Sequence, residues 1–265
     1  MDKNIKVNNK KVFMTMVKRD LLIQIRDFGE FIFRVAMLPF ILILTYGYVL
    51  PKIGILDKSF PNQMFPGMVG MSLLVTGIHG TAVPLSMDFN NSREIEDRLQ
   101  APVNINLAAY AKMFVGIIEA LIGALLVLPI SIIFMKSGLN LNINISEIPV
   151  LVGVILLSSV TSATLGLLVG TIVKPQQIAA MFPGFLMPVI FTGAIFFSWE
   201  SLNAIPIMKY LVLLNPLVYI NEALRSIMVD NIVSMPFLLS ILGIVVFTII
   251  MGYFGMKRFK KMAIR

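Results

Sequence analysis

The stretch on which the fold depends separates two long apolar runs and reads Asp88-Phe89-Asn90-Asn91-Ser92-Arg93-Glu94-Ile95-Glu96-Asp97-Arg98-Leu99-Gln100-Ala101-Pro102. It carries six charged side chains, whereas residues 59–87 and 103–111 on either side contain no Asp, Glu, Lys or Arg. A charged side chain in the middle of the hydrocarbon region costs about 3 kcal/mol. We therefore expect this stretch to lie in water, between two segments that cross a membrane.

The charged stretch has the sequence features of a helix. Asn91 is placed to cap the first turn, with Glu94 three residues on, and Pro102 stops the helix at its far end. Ile95 and Leu99, four positions apart, form a narrow apolar stripe among the charges. This pattern predicts a helix that docks onto a soluble partner, which in turn drives the membrane part.

The composition is that of an integral membrane protein. The 265-residue chain is 57% hydrophobic and 14% charged, with a mean hydropathy of +0.88, whereas a soluble domain carries about 25% charged residues. The formal charge of +8 comes from bases that cluster at both chain ends, beside apolar runs, where anionic headgroups attract them. We therefore expect contacts with membrane lipids and no nucleic-acid partner.

The first thirty residues are basic and amphipathic. Apolar residues recur there at helical spacing, at Phe13, Val17, Leu21, Ile25 and Phe28, while the bases fall on another face. This pattern predicts a helix in the membrane interface, and a short cytosolic helix packed on the protein is the alternative. No cleavable signal is expected, because no small-residue cleavage site follows the first apolar run. We assign residues 1–30 to the amphipathic interfacial helix and residues 31–265 to one membrane domain.

Six apolar runs are long enough to cross a bilayer, since about 20 residues of helix span about 30 Å of hydrocarbon. The predicted fold is therefore an all-α polytopic membrane protein with six transmembrane helices. Pro183 and Pro188, with Gly184 between them, mark the fifth run as the most deformable. The predicted spans are Phe31–Leu50, Met64–Met87, Leu107–Met135, Ile148–Val173, Ile178–Phe197 and Pro236–Met256.

The distribution of bases predicts the orientation. Fifteen Lys and Arg fall on the side of the two termini and the charged stretch, against five on the other side. Because cytoplasmic loops carry the excess of bases, both termini and the charged stretch are expected in the cytoplasm, which requires an even number of spans. Residues 198–235 therefore cannot form one further span, and we predict a pair of short re-entrant or interfacial helices on the extracellular side.

The second of these short helices has a clear start. Asn215 is a suitable cap and Pro216 suits the first helical position. Glu222 and Arg225 are three residues apart and can pair, which is worth only about 0.2–0.5 kcal/mol if the pair is exposed.

Two ionisable residues lie inside predicted spans, Glu119 in the third and His79 in the second. A carboxylate at that depth is a candidate polar point in a transport pathway or a protonatable group. The alternative is that Glu119 bonds a neighbouring helix or pairs with Lys112 on the same helical face, and that His79 only packs. An ion- or proton-coupled secondary transporter or channel that uses both residues is the alternative function.

Catalytic motifs are missing from the sequence. It has no Gly-x-x-x-x-Gly-Lys-Ser/Thr phosphate-binding loop, and it has one histidine and no cysteine. We expect no catalytic residues, no metal site and no enzymatic activity in this chain.

A stripe of small residues, Ser162, Gly166 and Gly170, repeats every four residues in the fourth span. Such stripes let helices approach closely. We expect this stripe to pack within the subunit, with a seam between two subunits as the alternative.

Two short motifs and the order of the segments resemble the permease subunits of ABC-2 type exporters, especially the branch associated with drug and antibiotic resistance. The first motif is Arg-Glu-Ile-x-Asp-Arg-Leu-x-x-Pro, from Arg93 to Pro102, between the second and third spans. The second is Asn-Pro-Leu-x-Tyr-x-x-Glu-Ala-x-Arg, from Asn215 to Arg225, before the last span. With the N-terminal amphipathic helix and six spans, the likeness covers nearly the whole chain.

The resemblance implies a bacterial cell-membrane exporter of a hydrophobic or amphipathic compound. It implies that two copies of a separate ABC ATPase bind the ATP and magnesium, so that this chain holds no cofactor, and that a second permease subunit completes a homodimer. It implies a cytoplasmic coupling helix made of Arg93, Glu94, Ile95, Glu96, Asp97, Arg98 and Leu99. It also implies an extracellular re-entrant hairpin near the exit of the pathway that contains Asn215, Pro216, Tyr219, Glu222 and Arg225.

Overall fold

The computed structural model describes residues 8–26, 28–90, 104–136, 138–141, 143–230 and 232–263. Every regular element in these ranges is a helix, which confirms the all-α prediction for the described part of the chain. The predicted coupling helix, from Arg93 to Leu99, lies outside the described residues.

The helices are numbered in chain order. The first five are α1 (Asn9–Arg26), α2 (Phe28–Leu42), α3 (Phe60–Asn90), α4 (Asn106–Met135) and α5 (Ile148–Gly170), and α2 continues through a π-helical stretch, Ile43–Val49, to Leu50–Lys52. The segment α6 joins Ile178–Met181, a π-helical stretch Phe182–Leu186 and Met187–Thr192. The last three are α7 (Pro206–Leu211), α8 (Pro216–Met228) and α9 (Phe237–Ala263), and 3-10 turns occupy Ile145–Glu147, Pro175–Gln177, Trp199–Ala204 and Val212–Leu214.

Five helices in the described ranges are long and apolar enough to cross a membrane. They correspond to five of the six predicted spans, which supports a multi-pass membrane protein. Their bounds are Phe28–Lys52, Phe60–Phe89, Asn106–Met135, Ile145–Gly170 and Phe237–Ala263.

The run predicted as the fifth span, Ile178–Phe197, forms a shorter helix. It is helical only as far as Thr192, and Ala194 then adopts a left-handed φ of 56°. Fifteen helical residues reach about 22 Å, which is less than the hydrocarbon thickness. Pro183 and Pro188 cannot donate backbone hydrogen bonds, and the π-helical stretch lies between Met181 and Pro188, as expected where the regular ladder is interrupted. The count of six full helical spans is therefore not confirmed.

The helix α3 forms the centre of the bundle. Its buried face supplies a large part of the apolar core, including Met64, Met68, Leu74 and Ile78. The last helix, α9, instead exposes apolar side chains along most of its length, among them Leu242, Val246 and Ile249. An apolar core surrounded by exposed apolar faces is the arrangement expected of helices in contact with lipid.

The small-residue stripe of α5 packs inside the subunit. A Cβ atom on Gly166 would lie 2.8 Å from the Cβ of Thr81 and 3.0 Å from the backbone of Ile78, both in α3. A Cβ on Gly170 would lie 2.9 Å from the Cα of Ala82. The two helices can therefore approach this closely only because these positions lack side chains.

This contact predicts that glycine-to-alanine substitutions at two positions of α5 change stability differently. Gly166→Ala should lower the free energy of unfolding by about 1–3 kcal/mol, because the added methyl group meets backbone atoms of α3. Gly153→Ala is the matched control, since nothing lies within 4 Å of its Cβ position; it should leave stability unchanged or raise it by up to about 1 kcal/mol. Unfolding in detergent micelles measures both, and equal changes would contradict the packing described.

Candidate functional site

The segments that flank residues 91–103 lie at one end of the bundle, together with parts of both terminal helices. Phe89, near the end of α3, stacks edge-to-face on Phe259 near the end of α9, with ring centroids 5.6 Å apart. On α1, the buried Val17 packs against Ala111 and Val115 in the first turns of α4. Residues 91–103 therefore connect α3 to α4 at this end of the bundle.

A buried cluster of charges joins three helices at the same end. Lys112 of α4 places its Nζ 2.9 Å from Asp20 Oδ2 of α1 and 2.9 Å from Asp88 Oδ2 of α3. Arg19 also contacts Asp20, at 3.0 Å from Oδ1. The alternative pairing of Lys112 with Glu119 is wrong, because Lys112 uses the two aspartates instead.

Burial makes this cluster structurally important. The side chains of Lys112, Asp20 and Asp88 are exposed by only 3%, 5% and 10%. A charge at such a position is tolerated only when an opposite charge compensates it. Sequence reasoning missed Asp20 and Asp88, because no spacing rule relates acids on two other helices to a lysine in a third.

Glu119 and His79, the two predicted pathway residues, line one cavity. The cavity has a volume of about 390 Å³ and lies between α2, α3, α4 and α6. Glu119 is 2% exposed, and neither carboxylate oxygen has a hydrogen-bond partner among the described residues. His79 Nδ1 is also without one in these ranges. Gly80 makes room for the carboxylate, since a Cβ there would lie 2.7 Å from Glu119 Cδ.

At the opposite end, α8 begins as the sequence predicts. The side-chain oxygen of Asn215 accepts a hydrogen bond from the Leu217 N–H at 2.9 Å, and Pro216 occupies the first helical position. The Asn215 amide also donates to the Val189 carbonyl at 2.7 Å, which ties the start of α8 to α6. Tyr219, one turn further on, donates its hydroxyl proton to the Leu213 carbonyl at 3.1 Å.

Glu222 and Arg225 of α8 form a fully buried ion pair. Both side chains are 0% exposed, and Arg225 Nη1 donates to Glu222 Oε1. The same carboxylate accepts hydrogen bonds from the Trp199 N–H at 3.0 Å and from the Met235 N–H at 2.7 Å. The Glu222 carboxylate therefore connects both the turn before α7 and the segment before α9 to α8.

Arg225 extends the network to two more segments. Its Nη2 donates to the Ala194 carbonyl at 2.7 Å and to the Gln63 carbonyl at 3.1 Å. The neighbouring Asn221 amide donates to the Gly193 carbonyl at 2.6 Å. These donors satisfy the backbone where α6 has ended, so α8 stabilises the left-handed bend that interrupts the fifth apolar run.

Comparison with known protein families identifies the family of this chain. The sequence model described as ABC-2 type transporter matches residues 11–229. The chain belongs to this family. Among curated proteins, the comparison gives no match.

The family match places the chain among membrane translocation components and implies association with an ABC ATPase. The matched region of this ABC-2 permease starts within α1 and ends just after α8, so it contains the Lys112 cluster, the Glu119 cavity and the Glu222–Arg225 ion pair.

The turn before α7 in the permease carries a further polar group near the surface. Glu200 Oε2 accepts from Asn203 Nδ2 at 2.8 Å and from Lys209 Nζ at 3.1 Å. The hydrogen bond from Asn203, and after it the one from Lys209, hold the pKa of the Glu200 carboxyl below its ordinary value. Lys209 Nζ also lies 3.8 Å from the centroid of the Trp199 ring. Polar contacts near the surface thus join this turn to α7, and the buried network joins the same turn to α8.

Proposed function

We propose that the chain is the transmembrane permease subunit of an ABC exporter of the drug- and antibiotic-resistance type. It forms the pathway through which a hydrophobic or amphipathic compound leaves the cell, and ATP is hydrolysed on a separate ATPase subunit. The working unit contains two permeases as a homodimer and two ATPases. The six apolar runs form the spans, with α6 and the residues after it as the fifth, and both termini lie in the cytoplasm of a bacterial cell.

One observation carries the proposal. The two helix ends that flank residues 91–103 are held together with α1 by Lys112. A segment anchored in this way at both ends transmits a push from a docked partner to α3, α4 and α1 at once. The five charges between residues 93 and 98 suit a docking surface for a soluble ATPase, whereas the sixth, Asp88, belongs to the buried cluster.

The mechanism follows from this arrangement. Closure of the ATPase dimer on ATP displaces the docked coupling helices, Arg93–Leu99, and shifts the two bundles from inward to outward access. The contacts with the ATPase must differ between the two states, because a partner moves an equilibrium only by binding one state better. At the other end, the hairpin that contains Asn215, Pro216, Tyr219, Glu222 and Arg225 forms the exit.

Reversing three charges tests the docking step. The triple variant Glu94→Lys, Glu96→Lys and Asp97→Lys should weaken binding of the ATPase by at least about tenfold and abolish transport, because like charges then face each other across the interface. Membrane insertion should be unchanged, since the added bases lie on the side already rich in them. Copurification with a coexpressed ABC ATPase subunit and ATP-dependent efflux are the measurements.

The matched control keeps every charge and changes only side-chain length: Glu94→Asp, Glu96→Asp and Asp97→Glu. It should retain most of the ATPase binding. A charge-reversed permease that still copurifies with its ATPase and still transports would defeat the proposal. Efflux that continues without ATP and stops when the proton gradient collapses would instead support the secondary transporter.

A further inference from the structure

The cavity around Glu119 combines apolar walls with one buried carboxylate. Its walls include Val35, Leu38, Val75 and Phe182. Met37 and Ile41 also line it and are 40% and 46% exposed on the outer face of α2. Part of the cavity lining therefore reaches the apolar outer face of α2, where a compound dissolved in the lipid can approach it.

The Glu119 carboxylate has no hydrogen-bond partner among the described residues, and Arg34 acts on it only through its charge, across the cavity. Lys112, seven residues earlier in α4, is held by Asp20 and Asp88. Arg34 lines the cavity but is an exposed residue, and its guanidinium lies 3.5 Å from Gln24 Oε1 and 5.9 Å from the Phe31 ring centroid. Buried polar groups are almost always hydrogen-bonded, so a buried carboxylate with two free oxygens requires an explanation.

We infer that this cavity binds a primary-ammonium amphiphile, with the ammonium group at Glu119 and the apolar chain along α2 and α3. A primary ammonium has three N–H donors, and the cavity offers three atoms without partners, Glu119 Oε1, Glu119 Oε2 and His79 Nδ1. Hydrogen bonds between an ammonium and a carboxylate are among the strongest that a binding site can make. The inference rests on the proposed function and deepens it, because it names the chemical class of the exported compound.

The test measures binding of radiolabelled octylammonium to the full chain in phosphatidylcholine nanodiscs, with empty nanodiscs as the background. Binding should be saturable, with one site per chain. Octyltrimethylammonium has the same chain and charge but no N–H group, so it should bind about ten- to a hundredfold more weakly. This comparison uses the unmodified chain and does not depend on the folding of any variant.

Glu119→Gln should weaken octylammonium binding by a similar factor and octyltrimethylammonium binding by a smaller one, because the second probe loses only the charge attraction and no hydrogen bonds. The matched control is Glu30→Gln, which removes a negative charge from α2 outside this cavity and should keep the affinity of the unmodified chain. Binding that does not saturate above empty nanodiscs, equal binding of the two probes, or equal binding by the Glu119→Gln chain would each overturn the inference.

The outcome is separable from that of the proposed function, because neither ATP nor the ATPase is present. A chain that binds octylammonium through Glu119 but associates with no ATPase would overturn only the proposed function. A chain that couples to its ATPase but does not distinguish the probes would overturn only this inference.

Discussion

Replacing Arg225 by methionine is expected to lower the free energy of unfolding by about 3–5 kcal/mol. The substitution leaves Glu222 with no counter-charge at a position that is 0% exposed. It also removes the donor to the carbonyl of Ala194, where the chain adopts its left-handed bend. Losing one partner of a buried pair costs far more than the pair would contribute at a surface, because the remaining charge stays desolvated.

Fluorescence gives a direct measurement of this effect. The chain has one tryptophan, Trp199, whose backbone N–H donates to Glu222. Its emission during denaturant titration in micelles therefore reports the network itself. Arg34→Met is the matched control, because it removes an exposed arginine and should change stability by no more than about 0.5 kcal/mol.

The double variant Glu222→Gln, Arg225→Met separates pairing from simple loss of volume. Its loss of unfolding free energy should be smaller than the sum of the losses in the Glu222→Gln and Arg225→Met single variants, because neither charge is then left without its partner. Strict additivity, or an Arg225→Met chain as stable as the unmodified one, would contradict a buried ionic network.

The start of α8 and its ion pair also show how much of the structure the sequence predicts. The Asn215 cap, the start of α8 at Pro216 and the pairing of Glu222 with Arg225 all follow from spacings of three residues or fewer, and all are present. The burial of the pair does not follow from spacing. Its other partners are backbone groups as distant along the chain as Gln63. A pair expected to contribute a few tenths of a kcal/mol is therefore the centre of one end of the bundle.

The fifth apolar run shows the same limit of sequence-based prediction. Its composition predicts a continuous helix, and the two prolines predict deformation, but the helix ends at Thr192. Side chains of α8, Asn221 and Arg225, bond the carbonyls of the bend and make that ending stable. Composition measures how apolar a segment is, whereas its path depends on donors supplied by another helix.

Replacing Lys112 by methionine is the second change expected to have a large effect, with a loss of about 3–5 kcal/mol in the free energy of unfolding. Asp20 and Asp88 would then lose the cation that lies between them in the buried cluster. Arg19 still neutralises part of the Asp20 charge, but the bridge through Lys112 is lost, so repulsion of the two carboxylates should separate α1 from α3 and α4 before the rest of the bundle unfolds. The expected defect is thus local, at the end where residues 91–103 join the bundle.

Cysteine labelling can detect this separation, because the chain contains no cysteine of its own. In a Val17→Cys background the thiol is buried against Ala111 and Val115, so maleimide should react slowly. Adding Lys112→Met should speed labelling at least about tenfold, which corresponds to about 1.4 kcal/mol in the opening equilibrium. Lys18→Met, which removes an exposed charge from α1 itself, should leave the rate unchanged.

A further variant distinguishes the ionic cause from loss of packing. Asp20→Asn added to Lys112→Met removes one of the two opposed carboxylates, and labelling should slow again if repulsion drives the opening. Because the same helix ends flank the predicted coupling helix, the Lys112→Met permease should bind its ATPase yet transmit less of the ATP-driven movement, giving ATP hydrolysis with reduced export. Unchanged labelling together with unchanged export would mean that the apolar contacts of Val17 alone hold α1, and that the charged cluster does not carry the movement.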